Sequence, residues 1–275
     1  MKPLFAVILS LLILSNLRAQ IQAQTPAPSS IPASQTTTSS QQAASPKEHR
    51  FFAGLSLGPS FPTGKFANKN YSDTTAGWAQ PGPSFNLSAG YMLTRSVGIV
   101  LLLGAQENKQ DANTITSHLK QQYGDTVRST VTTNNWKIAR ILAGGLFKLP
   151  VSESGKLFFQ AKVLAGVLKT SAPAYSYAYG QPQYFVTYGY SVYATIGSVP
   201  LNWAFCYQGN AGLGWRLTKR ISLVGDVSYF HAAPVHKYDH YLIFTPGGGF
   251  YDRGPWQKKY IISSVNLMAG AEITF

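Results

Sequence analysis

The chain has 275 residues; only 12% are charged, 13% are aromatic, and the formal net charge is +13. Soluble globular domains carry about 25% charged residues, so this composition excludes an ordinary water-exposed surface. The lysines and arginines are scattered and form no nucleic-acid motif, and at strand ends they suit anionic lipid head groups and lipopolysaccharide phosphates instead. The single cysteine, Cys206, excludes an intrachain disulfide.

The N-terminus reads as an export signal. Lys2 precedes an eleven-residue apolar run, Leu4 to Leu14, followed by small residues at Ala19 and Ala23. A membrane-spanning helix needs about 20 apolar residues, so residues 1–23 are expected to be a signal peptide cleaved after Ala19 or after Ala23. Residues 24–49 form an expected periplasmic linker. Its first part, 24–46, has no charge and no aromatic and is rich in Ser, Thr, Pro, Gln and Ala, too little apolar surface to fold alone.

From Arg50 to Phe275 the chain falls into eight segments of alternating character: 50–58, 83–93, 97–106, 136–149, 157–168, 202–217, 221–230 and 260–275. In the second, Phe85, Leu87, Ala89 and Tyr91 alternate with Ser84, Asn86, Ser88 and Gly90. That is the period of a strand with one greasy and one polar face. The links 94–96, 150–156 and 218–220 are hairpin-sized, whereas 59–82, 107–135, 169–201 and 231–259 are long. Strict alternation of short and long links predicts an all-β, eight-stranded antiparallel up-and-down transmembrane barrel with short periplasmic turns and four long outer loops. The alternative is a secreted lipocalin-like barrel with the apolar face turned inward. The polar face is poor in charge for a water-exposed surface, which favours the membrane barrel.

The polar face would line the lumen. It carries ten glycines, as a narrow eight-stranded barrel requires, and five charges: Arg140, Lys162, Arg216, Asp226 and Glu272. Buried charges must be paired; strand position puts Asp226 near Arg140 or Lys162, and Glu272 near Arg216 or Lys148. Inward Leu102, Leu142 and Leu164 argue against an open aqueous pore. Trp203, Phe205, Tyr207, Tyr229 and Tyr260 fall toward the outer ends, and Phe51, Phe147, Phe159 and Phe275 toward the periplasmic ends, as in interfacial girdles.

Catalytic chemistry is sparse. His231, His236, Asp239 and His240 make the best cluster, but no serine sits in a recognisable motif, and the spacing fits no standard metal site. They read as solvated loop histidines; no enzyme, cofactor, catalytic residue or metal is expected. Loop 169–201 holds Tyr175, Tyr177, Tyr179, Tyr184, Tyr188, Tyr190 and Tyr193 among Ser, Ala and Gly. It is either an adaptable surface for an unidentified ligand or a hairpin extending strands five and six, held by tyrosine pairs.

The last segment alternates Val265, Leu267, Ala269, Ala271, Ile273 and Phe275 with small or polar residues. This pattern resembles the terminal strand of bacterial outer-membrane barrels, whose final Phe belongs to the signal read by the barrel assembly machinery; here that would be Phe275, with Ile273. Residues 50–275 as a whole resemble the small outer-membrane β-barrel domain proteins of Gram-negative bacteria, of the OmpA/OmpX-like, porin-family type. The resemblance implies a monomer in the outer membrane, in contact with its lipid and lipopolysaccharide. The expected role is structural or interactive, through the long loops; a small-solute channel and a lipid-modifying enzyme are the alternatives.

Overall fold

A computed structural model describes residues 50–275 except 71, 74, 124–127, 174, 181–191, 197–201, 239–240, 245–249 and 253–255. The expected signal peptide and linker lie outside the described residues. Eight strands close into an antiparallel barrel in the order β1 (Phe51–Pro62), β2 (Gly82–Met92), β3 (Val97–Lys109), β5 (Asn135–Pro150), β6 (Leu157–Ser171), β9 (Asn202–Arg216), β10 (Ile221–Ala232) and β15 (Ile262–Thr274), which returns to β1. All eight predicted segments are barrel strands.

The short links form by local chemistry. Thr94 Oγ1 accepts from the amides of Ser96 (3.2 Å) and Val97 (3.0 Å), and Thr218 Oγ1 accepts from those of Arg220 (3.2 Å) and Ile221 (3.0 Å). The side chain thus takes up turn donors that the sheet leaves unpaired. In the remaining short link, 150–156, Gly155 has φ +63°, which a Cβ would disfavour.

The register fixes the shape of the barrel. Following directly paired residues once round, Phe52 leads through Gly90, Val100, Gly144, Leu164, Gln208, Phe230 and Ser264 to Pro62, ten residues further along β1. Eight strands with a stagger of ten must tilt by about 40° and enclose a lumen of about 8 Å radius to strand centres. Only side chains fit inside.

Burial separates the two faces. In β3, Val97, Ile99, Leu101 and Leu103 are exposed outward, while Val100, Leu102, Gln106 and Asn108 are buried inward. Leu55, Leu87, Ile141, Val163, Leu213, Val227 and Leu267 continue the outward apolar belt. Asn86, Gln160, Gln208, Ser228, Ser264 and Asn266 are buried inside. A lipocalin-type barrel would place these groups the other way round. Trp203, Phe205 and Tyr207 stand exposed at the loop end of the belt, and Phe51, Trp215 and Phe275 at the turn end. Tyr260 does not join them: it is buried at the lumen mouth, two residues before the buried Ile262 and on the same parity as the inward residues of β15.

The long links carry structure of their own. Helix α1 (Ala112–Tyr123) and strand β4 (Arg128–Thr133) occupy the second loop, β7 (Tyr175–Gly180) and β8 (Val192–Ile196) the third, and β11 (Val235–Tyr238), β12 (Tyr241–Phe244), β13 (Phe250–Asp252) and β14 (Trp256–Lys259) the fourth. Strands from all three loops join in one five-stranded sheet, β13-β12-β8-β7-β4, while β11 pairs with β14. The third loop is therefore a hairpin, but one belonging to this second sheet and not an extension of the barrel wall.

Candidate functional site in the lumen and at its outer mouth

The lumen is filled in layers. At the turn end the half-buried Lys148 pairs with the buried Glu272, and its ammonium lies 4.6 Å from the Phe52 ring centroid and 5.3 Å from that of Phe158. Glycines make room for the two phenylalanines: a Cβ on Gly90 would stand 2.4 Å from the Phe52 ring, and one on Gly214 2.1 Å from that of Phe158. Arg216 was expected in this network but is exposed at the rim. It is the last residue of β9, past Gly214, and stacks on Phe158 at 5.7 Å without reaching Glu272.

At mid-height Lys162 and Asp226 face each other at 3.5 Å, and Gln160 Nε2 donates to Asp226 Oδ1 at 2.9 Å. Leu102, Leu142 and Leu164 are buried alongside. Arg140, also buried, is not part of this pair. Its Nη1 donates to Gln106 Oε1 (3.1 Å) and its Nη2 to Asn86 Oδ1 (2.9 Å), and the guanidinium lies 4.9 Å from the Phe230 ring centroid. Among the described residues no carboxylate reaches it; neutral oxygens and an aromatic face surround the charge instead.

The loop end is closed by an aromatic stopper. Trp136, fully buried, packs edge-on against Phe66 (5.4 Å), Tyr260 (4.9 Å) and His236 (6.3 Å). Its Nε1 donates to the Gly77 carbonyl at 3.0 Å, tying the first loop over the mouth. That loop is itself braced by Asp73, which accepts from Lys65 (2.5 Å), Asn68 (2.7 Å) and Thr75 (2.6 Å); Lys65 and Thr75 hold its carboxyl well below the usual range.

His236 corrects the expectation of solvated loop histidines. It is wholly buried, neither ring nitrogen has a hydrogen-bond partner among the described residues, and burial pulls its pKa down to about 4. Directly across the β11–β14 pair stands Lys258, whose ammonium lies 4.4 Å from the Tyr260 centroid and 5.5 Å from that of Trp78. Burial lowers the Lys258 pKa to about 8, with Asp73 opposing. His231 sits on β10, half-buried, with Nδ1 2.8 Å from Ser263 Oγ and its ring 5.1 Å from that of Tyr207. Asp239 and His240 lie outside the described residues.

Tyr175, Tyr177 and Tyr179 occupy alternate positions of β7, and Tyr193 lies in β8; Tyr184, Tyr188 and Tyr190 lie outside the described residues. No tyrosine of the described hairpin stands opposite another. Tyr175 faces Ile196, Tyr177 faces Ala194, Tyr179 faces Val192, and Tyr193 faces Ala178. The register of the hairpin places both edges against neighbours, β4 on one side and β12 on the other. Ile273 stands between Ala53 and Ile221 in the closing strand, and the Phe275 amide donates to the Phe51 carbonyl at 2.8 Å.

An apolar belt outside, a polar side-chain-filled lumen inside, hairpin turns at one end and long loops at the other define the outer-membrane type of small barrel. The chain is an eight-stranded barrel of that type. Known structures similar to it include Neisserial surface protein A (10% identity, 82% of this chain and 97% of that one, TM-score 0.40). Ail, the attachment invasion locus protein of Yersinia pestis, is similar at 13% identity over 82% of this chain and 99% of that one, TM-score 0.37. So is a major outer membrane protein from Thermus thermophilus, at 14% identity over 82% of this chain and 100% of that one, TM-score 0.39. No family model matches the chain, and none of the curated proteins does.

Proposed function

We propose that this protein is a monomeric, non-enzymatic, non-conducting barrel of the bacterial outer membrane, placed there by the barrel assembly machinery, that displays a folded platform at the cell surface. The observation that carries this reading is the five-stranded sheet built jointly by the second, third and fourth loops. Separate loops that cooperate in one sheet give a surface of defined shape, suited to a partner more than to a solute path. The layered lumen supports the non-conducting part: the Lys148–Glu272 pair, the Lys162–Asp226 pair and the stopper around Trp136 each occupy a different height.

An epitope inserted between β7 and β8 tests the display. Antibody should label intact cells, and the protein should fractionate with the outer membrane and migrate differently with and without boiling. Labelling only after the envelope is broken would reject the platform. Single-channel steps at neutral pH would reject the closed lumen, and an altered lipid A mass spectrum on expression would reject the non-enzymatic reading.

A further inference from the structure

The lipid-facing wall has an uneven charge distribution. Of all outward positions on the eight barrel strands, only Glu107, Lys109, Lys137 and Lys169 are charged, and all four stand at the loop ends of three adjacent strands, β3, β5 and β6. The outward positions of β1, β2, β9, β10 and β15 carry no lysine, arginine or carboxylate.

The register puts the three lysines nearly level. Lys109 faces Asn135, and Lys137 lies two residues further down β5; Lys137 faces Ser171, and Lys169 lies two residues further down β6. A line of constant height in this barrel descends by ten residues over eight strands, or about 1.25 per strand, in the same sense. The arc therefore drops by only about 4 Å across its three lysines, with neighbours about 7–8 Å apart. Glu107 stands directly across from Lys137 but is engaged by Asn135 Nδ2 at 2.7 Å, and no ion pair joins any of the three lysines to a carboxylate among the described residues. Lys169 lies 5.8 Å from the ring centroid of Trp203, which is 62% exposed and faces it from β9. Below this arc, past Glu107 and Ala105 on β3 and Ala139 on β5, run the apolar Leu103, Ile141, Val167 and Phe205, all exposed outward.

We propose that Lys109, Lys137 and Lys169, flanked by Trp203, form a site on the barrel wall for the phosphate groups of a lipopolysaccharide molecule in the outer leaflet. The inference rests on the outer-membrane reading above. Three cations that form no ion pair among the described residues, with the one nearby carboxylate, Glu107, hydrogen-bonded to Asn135, outnumber it on this face and stand nearly level at the upper edge of an apolar belt, as clustered phosphates in the head-group plane require. The belt below takes the acyl chains of the same molecule, which is why the occupant is a lipid and not free phosphate. The one-sided placement fixes a lipid against β3–β6 and leaves the opposite wall to exchangeable neighbours.

The test uses the full exported chain, purified in detergent, with lipopolysaccharide as the probe in a binding titration at low and high salt. The parent should bind, more weakly at high salt. The triple variant Lys109→Gln, Lys137→Gln, Lys169→Gln should lose at least about tenfold in affinity, and the triple Lys→Arg variant should keep it. Heat-modifiable migration of each variant shows that the barrel is folded. Binding by a folded Gln variant within twofold of the parent overturns the site, as does loss of binding in a folded Arg variant. Competition by millimolar inorganic phosphate overturns the commitment to lipid. Cell fractionation separates the two failures: recovery in the outer membrane with unchanged Gln-variant binding sinks only the lysine site, whereas recovery in a soluble fraction sinks the membrane reading beneath it.

Discussion

The two ends of the lumen are sealed by different chemistry. The turn end is closed by strand residues alone: Phe52, Lys148, Phe158 and Glu272 belong to β1, β5, β6 and β15. The loop end is closed by one strand residue, Trp136, against groups from the first and fourth loops, Phe66, His236 and Tyr260. The first seal is ionic and cannot open without moving the wall. The second is aromatic, built around Trp136, and is carried by segments of two long loops and not by the wall alone. Rigidity is thus built in at the turn end, and the contacts that depend on loop segments lie at the loop end.

That contrast can be broken from either side. Trp136→Ala removes the centre of the stopper and the bond to Gly77, and should cost about 3–5 kcal/mol. Its signature is protease cleavage of the first loop while the folded band persists on the gel. If cleavage stays at the parent level, the stopper does not hold that loop. Glu272→Gln strands the Lys148 ammonium in its phenylalanine cage and should cost about 3 kcal/mol or more. Here the expected loss is of the whole barrel, read as an earlier urea midpoint for the heat-modifiable band in lipid vesicles. Adding Lys148→Met should recover much of it, since no uncompensated charge remains. A double variant no more stable than Glu272→Gln would show that the pair itself, and not the stranded cation, accounts for the loss.

Acid should act at the outer seal. The His236 pKa is about 4 in the fold against 6.5 for an open histidine, so the released fourth loop binds a proton between those values and the docked loop does not. The His236 contribution to docking is therefore complete above pH 6.5, weakens as pH falls toward 4, and changes no further below that, a loss of about 3 kcal/mol at most. The groups facing His236 reinforce the direction: Lys258 is a second cation across the strand pair, Trp136 and Tyr260 are uncharged, and Asp73 acts on Lys258 from the first loop. Hydrogen exchange of β11 and β14 should rise between pH 6.5 and 4 in the parent and stay flat in His236→Phe. Equal rises in both would place the sensitivity elsewhere.

The wall was legible because period-two alternation is imposed on every barrel strand by having lipid on one side and a polar lumen on the other. The same parity places Trp136 on the face of Arg140 and Leu142, so the keystone of the stopper was readable in principle, although nothing local marks it as the centre of one. His236 was not readable. Its burial comes from residues distant in the chain, Trp136 and Tyr260, and a histidine in a long polar loop looks solvated by composition. The platform escaped for a related reason: β4, β7, β8, β12 and β13 are short, and each becomes a strand only by pairing with another loop segment. Among the lumen charges, parity gave the inward direction of Arg140, Lys162, Asp226 and Glu272. The choice of Lys162 for Asp226 depends on the stagger of ten residues, which no single strand encodes.

The smallest expected effect lies between the two seals, at Gly104. A Cβ there would stand 2.6 Å from Arg140 Nε and 2.8 Å from Asn86 Oδ1, closer than side-chain contacts allow, so the buried Arg140 and Asn86 side chains must move. That movement strains the bonds Arg140 makes to Gln106 and Asn86 and its stacking on Phe230. Gly104→Ala should therefore cost about 1–3 kcal/mol, less than losing either seal, and should lower the urea midpoint of the barrel without exposing the first loop to protease. Pairing it with Arg140→Met removes both the clash and the charge. A double variant more stable than Gly104→Ala alone would place the cost at the guanidinium, whereas an unchanged midpoint would place it in the β2–β3 backbone.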